Sequence, residues 1–318
     1  MALASVNSRW VEIAGAMLTD VGRVRKSNED SVAFVIPSKN DPAASRGCLF
    51  LVADGMGGHA AGEVASTLAV EIVRQVYFSL QKPVPDSLMM AFKSANRAIF
   101  EHGQSNPECR GMGTTCTALA IRDGQLWLGH VGDSRAYLLR NGHLTQLTDD
   151  QTLHAQMIRE GLMTAEESKA AGGGNVILQA LGTGLDVVPA IEENGIPLSE
   201  GDILILCTDG LWNMVDDAAI AETAARSAPQ EACQQLVDAA LAAGGYDNVS
   251  VGIFVLRALA GRAAEPQGAT RPIEIAYLKE AEAAPEAAAQ RWLGKFEQRA
   301  KWNFCLTAAM VAADQERR

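Results

Sequence analysis

Thr114-Thr115-Cys116-Thr117-Ala118-Leu119-Ala120-Ile121, Asp123-Gly124, Leu126-Trp127-Leu128-Gly129-His130-Val131, Ala136-Tyr137-Leu138-Leu139, Asn141-Gly142 and then His143–Leu147 follow one another with almost nothing between them. The apolar runs are strand length, and Asp-Gly or Asn-Gly between two such runs signals a tight hairpin whose central residues take positive φ. Strands joined in this way are antiparallel. Upstream lie three further β-like runs, Glu12–Leu18, Ser31–Ile36 and Cys48–Ala53. Two helical patterns separate them from the hairpins. In one, Val64, Leu68, Ile72, Val76 and Leu80 recur at i+4; in the other, Leu88, Phe92, Ala95 and Ile99 recur at i+3 or i+4. Downstream, a polar and glycine-interrupted region from Asp149 to Asp186 precedes a strand at Ile203–Cys207, a helix near Gln230–Ala243 and a strand at Val249–Leu256. Strands in runs, with helices grouped between them, predict an α+β protein of antiparallel sheets covered by helices rather than a doubly wound parallel sheet.

After Leu256 the composition turns rich in Ala, Glu and Pro. The expected organisation is a domain over residues 1–256, a linker over 257–284 and a helical extension over 285–318. In the extension Trp292, Phe296, Ala300 and Phe304 fall at i+4.

The chain has 318 residues, 48% of them hydrophobic, and a formal net charge of −11. Such a chain has ample core to fold, and its acidity argues against a nucleic-acid partner, which demands clustered Lys and Arg. The N-terminal residues lack the basic and apolar regions of a signal peptide. The longest uncharged apolar stretch, between Lys301 and Asp314, falls short of the about 20 residues that span a bilayer. A cytoplasmic protein without a membrane span is expected. The six cysteines form no C-x-x-C pair, so buried thiols in a reducing compartment fit them better than a zinc site.

Carboxylates stand at the ends of the apolar runs. Asp54 follows Leu49–Ala53, Asp209 follows Ile203–Cys207 and Thr208, and Asp247 precedes the run beginning at Val249; Asn28-Glu29-Asp30 and Gly132-Asp133-Ser134-Arg135 add two more acidic segments. A carboxylate at the end of a core strand is partly desolvated, which is costly unless a cation or donor compensates. Each Asp-Gly alone is an ordinary turn signal. Together they predict a hard, oxygen-rich site of the kind that takes Mg²⁺ or Mn²⁺. Gly55, Gly57 and Gly58 strip side chains from beside Asp54 and leave room for close approach. Arg25, four residues before Glu29, carries a guanidinium fork suited to a phosphate dianion, whereas Arg23 and Lys26 are expected to be solvated. No P-loop or dinucleotide spacing and no G-x-S-x-G elbow occurs.

The ordered motifs R-x-x-x-E-D, D-G-M-G-G-H, G-T-T, G-D-S-R, T-D-G and D-N, from about Thr19 to Phe254, resemble the metal-dependent Ser/Thr protein phosphatases of type 2C in their bacterial form. The resemblance implies a four-layer α-β-β-α sandwich with two central antiparallel sheets. It implies that Asp54 bridges two Mn²⁺ or Mg²⁺ ions, that Asp209 and Asp247 complete one of them, and that the Gly55 carbonyl helps hold the other. Glu29 and Asp30 would act chiefly through water on the metals, Asp133 with Asp209 would hold a weaker third metal, and Arg25 would grip the substrate phosphate. A water between two such cations attacks phosphorus directly, with no phosphoenzyme. Some relatives carry a His directly after D-G where this chain has Met56; His59 is then the nearest candidate acid, but a structural role for it, with the proton coming from metal-bound water, is the expected reading. The region from Asp149 to Asp186 corresponds to the family's variable flap, here glycine-rich and uncharged at Ala171–Asn175. Partners implied are phosphorylated proteins and a cognate Ser/Thr kinase, with the chain itself a monomer. Two alternatives are a phosphatase acting on an anti-sigma-factor antagonist and a catalytically silent phosphoprotein-binding module.

Overall fold

The computed structural model describes residues 10–38, 41–57, 61–171 and 176–260. The expected linker beyond residue 260 and the Trp292–Phe304 stripe lie outside them, as do Gly58, His59 and residues 172–175.

In chain order the strands are β1 (Trp10–Asp20), β2 (Asp30–Val35), β3 (Cys48–Met56), β4 (Gly113–Thr114), β5 (Cys116–Arg122), β6 (Gln125–Val131), β7 (Arg135–Arg140), β8 (His143–Gln146), β9 (Ala190–Ile191), β10 (Ile196–Pro197), β11 (Ile203–Cys207) and β12 (Val249–Ala260). The helices are α1 (Ala61–Ser79), α2 (Val84–Ser105), α3 (Leu153–Arg159), α4 (Ala165–Ala171), α5 (Asp209–Trp212), α6 (Asp217–Arg226) and α7 (Pro229–Ala242). One sheet runs β1-β12-β11-β7-β8; the other runs β10-β6-β5-β3-β2, with β4 added to β3 and β9 to β6. All their pairings are antiparallel. Both hairpin turns form as read: Asp123 and Asn141 have φ of 52° and 51°, each followed by a glycine at positive φ.

Strand periodicity divides the core. Phe50 and Val52 of β3, Leu119 and Ile121 of β5, Ala136 and Leu138 of β7, Leu204 and Leu206 of β11, and Phe254 of β12 meet in one cluster between the sheets. There the Phe50 and Phe254 rings lie 3.9 Å apart, centroid to centroid. The alternate residues of the first sheet, among them Tyr137, Ile205, Cys207, Val251 and Ile253, face the other way and pack under α6 and α7 through Ile220, Cys233, Leu236 and Val237. On the second sheet, α1 covers β3 and α2 covers β6, burying Leu68, Ile72, Val76, Leu88, Phe92 and Ile99. The result is the expected α-β-β-α sandwich. Burial on both faces explains why these strands read as continuous apolar runs.

Several elements differ from the sequence reading, among them β12, the run from Thr114 and α6. β12 continues to Ala260 because Ala258, Leu259 and Ala260 pair with Glu12, Val11 and Trp10 beyond a bulge. The run from Thr114 is broken at Thr115, which leaves the ladder to bond Asp54. Helix α6, not anticipated, starts at the N-cap Asp216, whose side chain accepts from the Ala219 N–H.

Candidate active site

Strand ends from both sheets place the acidic residues together. Asp30 opens β2 and stands opposite Asp54 near the end of β3. Asp133 lies in the turn between β6 and β7, Asp209 begins α5 just after β11, and Asp247 sits two residues before β12. Like charges and loss of water act jointly on this group. The Asp54 carboxyl is held well above the usual carboxylate range, first by desolvation and then by Asp30, Asp209, Asp133 and Asp247. Burial also lifts Asp30 to about 7, with Asp209 and Asp247 adding to it and the Ser250 and Thr208 hydroxyls opposing. Asp133 rises to about 7 through burial and the charges of Asp209 and Asp150.

The segments are tied by side-chain hydrogen bonds across the sandwich. Asp30 Oδ2 accepts from Thr208 Oγ1 at 2.8 Å and from Ser250 Oγ at 2.7 Å, which joins the second sheet to β11 and β12 of the first. Asn248 is buried. Its Oδ1 accepts from the Glu29 N–H at 2.8 Å, while its Nδ2 donates to the carbonyls of Val21 and Ser27. The Gly55 N–H donates to the Glu29 carbonyl at 3.1 Å. A Cβ on Gly55 would lie 2.1 Å from the Gly62 carbonyl oxygen, and one on Gly62 would lie 2.2 Å from Glu29 Oε2. The start of α1 therefore closes on the Glu29–Gly55 contact only because both positions are glycine. Asp209 Oδ2 accepts from Asn213 Nδ2 at 3.2 Å.

Arg25 lies at the rim with 52% of its side chain exposed, and its NH2 donates to Asp247 Oδ2 at 2.7 Å. That hydrogen bond is the main reason its pKa is raised, ahead of the charges of Asp247, Glu29 and Asp54. Arg23, expected to be solvated, is exposed but donates Nε to the Leu241 carbonyl at the C-terminal end of α7 at 2.9 Å, where a cation is favoured. Met56 ends β3 opposite Gly113.

The donor set fits a hard divalent cation. Asp30 Oδ1 and both carboxylate oxygens of Asp133 are buried and accept no hydrogen bond. Anionic oxygens in that position call for a cation or a proton. Among the described residues no three carboxylates close into a tight cage around one point. Mg²⁺ and its relatives do not demand one, since they keep several waters and take one or two carboxylates each. The sequence reading placed Arg25, Glu29, Asp30, Asp54, Gly55, Asp133, Asp209 and Asp247 at one site, and the structure brings their segments to one end of the sandwich. The motifs of that reading contained Thr114, Thr115, Ser134, Thr208 and Asn248 but assigned them no part in holding the acids, and it did not single out Ser250. Position was the available signal, because each stands within one residue of a named acid or at a strand end beside it.

Two antiparallel sheets between helices, with desolvated carboxylates where strands of both sheets end, define the class of four-layer sandwiches with an acidic centre. Residues 23–243 match the family described as Protein phosphatase 2C. The chain belongs to that family. It is similar to the serine/threonine protein phosphatase PstP of Mycobacterium tuberculosis, 39% identical over 239 residues, which cover 74% of this chain and 43% of that protein. The chain thus spans less than half the length of that relative. It is also similar to the serine/threonine phosphatase stp of Listeria monocytogenes, 33% identical over 73% of this chain and 92% of the relative. The solved catalytic domain of PstP in complex with two manganese ions superposes with a TM-score of 0.67 at 37% identity, covering 78% of this chain and 99% of that one.

Proposed function

We propose that the chain is a metal-dependent protein phosphatase that hydrolyses phosphoserine and phosphothreonine on other proteins, opposing a Ser/Thr kinase in the cytoplasm. The observation that carries this reading is the set of buried, mutually repelling carboxylates drawn from both sheets, with anionic oxygens that accept no hydrogen bond. Family membership supports it.

In this reading Asp54, Asp209, Asp247 and the Gly55 carbonyl would hold two Mn²⁺ or Mg²⁺ ions, Asp54 serving both, Asp209 and Asp247 one, and the Gly55 carbonyl the other. Glu29 and Asp30 would hold water around them, and Asp133 with Asp209 would serve a weaker third ion. Bound there, paired cations lower the pKa of water and neutralise charge that develops on a phosphoryl group during in-line displacement. The protein supplies the rest. Arg25 presents its fork at the rim, where a phosphate monoester would enter, and two parallel N–H donors would orient it. The Arg25–Asp247 hydrogen bond fixes that guanidinium beside the acidic centre. Asn248 holds the Asp20–Glu29 loop against the Asp247 turn, so the phosphate grip and the carboxylates keep one spacing.

The test is turnover of a phosphothreonine peptide and a small aryl phosphate with added Mn²⁺. Expected is hydrolysis abolished by chelator and restored by Mn²⁺ or Mg²⁺. A folded, Mn²⁺-binding chain that turns over neither substrate is a silent binding module, and the proposal fails.

A further inference from the structure

Resting on that reading, the structure assigns a positioning role to Thr115: it sets the spacing between Asp54 and Asp133. Asp54 lies just past the end of the β3–β5 ladder, whose last pair is Val52 with Thr117. In place of a ladder carbonyl, the Thr115 hydroxyl accepts from the Asp54 N–H at 2.9 Å, and the Thr115 N–H donates to the Asp54 carbonyl at 2.8 Å. The same side chain holds both neighbours of Asp133. Its Oγ1 is 2.7 Å from Ser134 Oγ. Against its methyl lies Gly132, at φ +104°, where a Cβ would stand 2.6 Å from Thr115 Cγ2. Thr115 is therefore one buried joint touching the backbone of Asp54 on one side and the loop carrying Asp133 on the other.

The joint is braced from behind. Thr117 Oγ1 donates to the Ser134 carbonyl at 2.8 Å, so it must accept from His130 Nδ1, 2.9 Å away. Burial pushes His130 down to about 4, and its Nε2 stands 3.2 Å from the Asp149 carbonyl. Groups that orient metal-binding side chains in this indirect way typically change metal affinity or activity 10–100-fold when removed.

Full-length Thr115→Val and Thr115→Ser variants separate the hydroxyl from the packing. Mn²⁺ binding is measured by calorimetry, kcat and KM on a small aryl phosphate, and folding by thermal unfolding. Thr115→Val is expected to weaken Mn²⁺ binding and lower kcat by about tenfold or more while KM stays within about threefold. Thr115→Ser, which keeps the hydroxyl, is expected to remain within about threefold of the parent in all three. A folded Thr115→Val protein that binds Mn²⁺ and turns over within about twofold of the parent overturns the inference, as does a Thr115→Ser protein as impaired as Thr115→Val. Should Thr115→Val not fold, Ser134→Ala removes only the far end of the joint, and unchanged Mn²⁺ affinity there overturns the inference equally. A parent chain that binds Mn²⁺ without hydrolysing phosphate defeats the proposed function alone, because the binding comparison still tests Thr115.

Discussion

Asp54 carries more like-charge repulsion than its backbone position alone would suggest, since four other carboxylates act on it. Removing its charge without changing its shape relieves that repulsion. Asp54→Asn is therefore expected to abolish Mn²⁺-dependent turnover while leaving the metal-free fold as stable as before or more so. Asp209→Asn should behave in the same way. Thermal unfolding in chelator, read beside turnover, checks both, and a stable variant with near-parental activity removes that aspartate from the proposed chemistry. Arg25 acts differently. Its side chain is half exposed, so its contact to phosphate belongs near the low end of the about 1.5–3 kcal/mol typical of hydrogen bonds to charged groups. Since about 1.4 kcal/mol is a factor of ten, Arg25→Ala should raise KM for a small aryl phosphate about tenfold with a smaller fall in kcat. Unchanged steady-state constants would leave Arg25 as a surface charge held by Asp247.

At the scale of elements, legibility followed burial. Ile203–Cys207 was read to the residue because both faces of β11 are covered, by Leu204 and Leu206 on one side and Ile205 and Cys207 on the other. Helix α6 was missed because it buries only Ile220 and Ala224, too faint a stripe among alanines; its N-cap Asp216 was the one usable signal. The acids of the site were legible because Asp54 and Asp209 follow apolar runs, Asp247 precedes one, and Glu29, Asp30 and Asp133 lie in acidic segments beside others. Their hydroxyl partners were not, since Thr and Ser near strand ends are commonplace and the bonds join distant positions: Asp30 meets Thr208 and Ser250 across 178 and 220 residues. The end of β12 matters practically. Truncation after Ala260 should preserve turnover of a small aryl phosphate, whereas truncation after Arg257 removes the pairs with Trp10, Val11 and Glu12 and should lower Tm. Equal melting temperatures would show that the last pairs contribute nothing, and loss of turnover on truncation after Ala260 would place residues 261–318 in the catalytic unit.

For the whole molecule, the raised carboxyls tie stability to pH and to cations. Asp30 and Asp133 titrate near 7 when folded and near 3.8 when unfolded, so their stabilising protonation is complete below about pH 4 and lost as pH rises through about 7. His130 works in the opposite sense: with a folded value of about 4 against 6.5, it destabilises the fold as pH falls below 6.5. Between pH 6 and 8 the carboxyls outnumber it. The metal-free protein is expected to melt at a lower temperature at pH 8 than at pH 6, and Mn²⁺ should raise Tm more at pH 8. Thermal scans in chelator and in Mn²⁺ at both pH values check this, and a shift independent of pH would detach the acidic centre from cation binding. The pairing of β1 with β12 carries a different kind of consequence, one of timing. The first strand of the described chain finds its neighbour only in the last, and Asp30 finds its hydroxyls 178 and 220 residues further on, on segments that leave the ribosome long after it. Contacts of such long sequence separation form late and slowly. A nascent or clipped chain can hold folded helices and hairpins and still lack an acidic centre, which is complete only once β12 has been made.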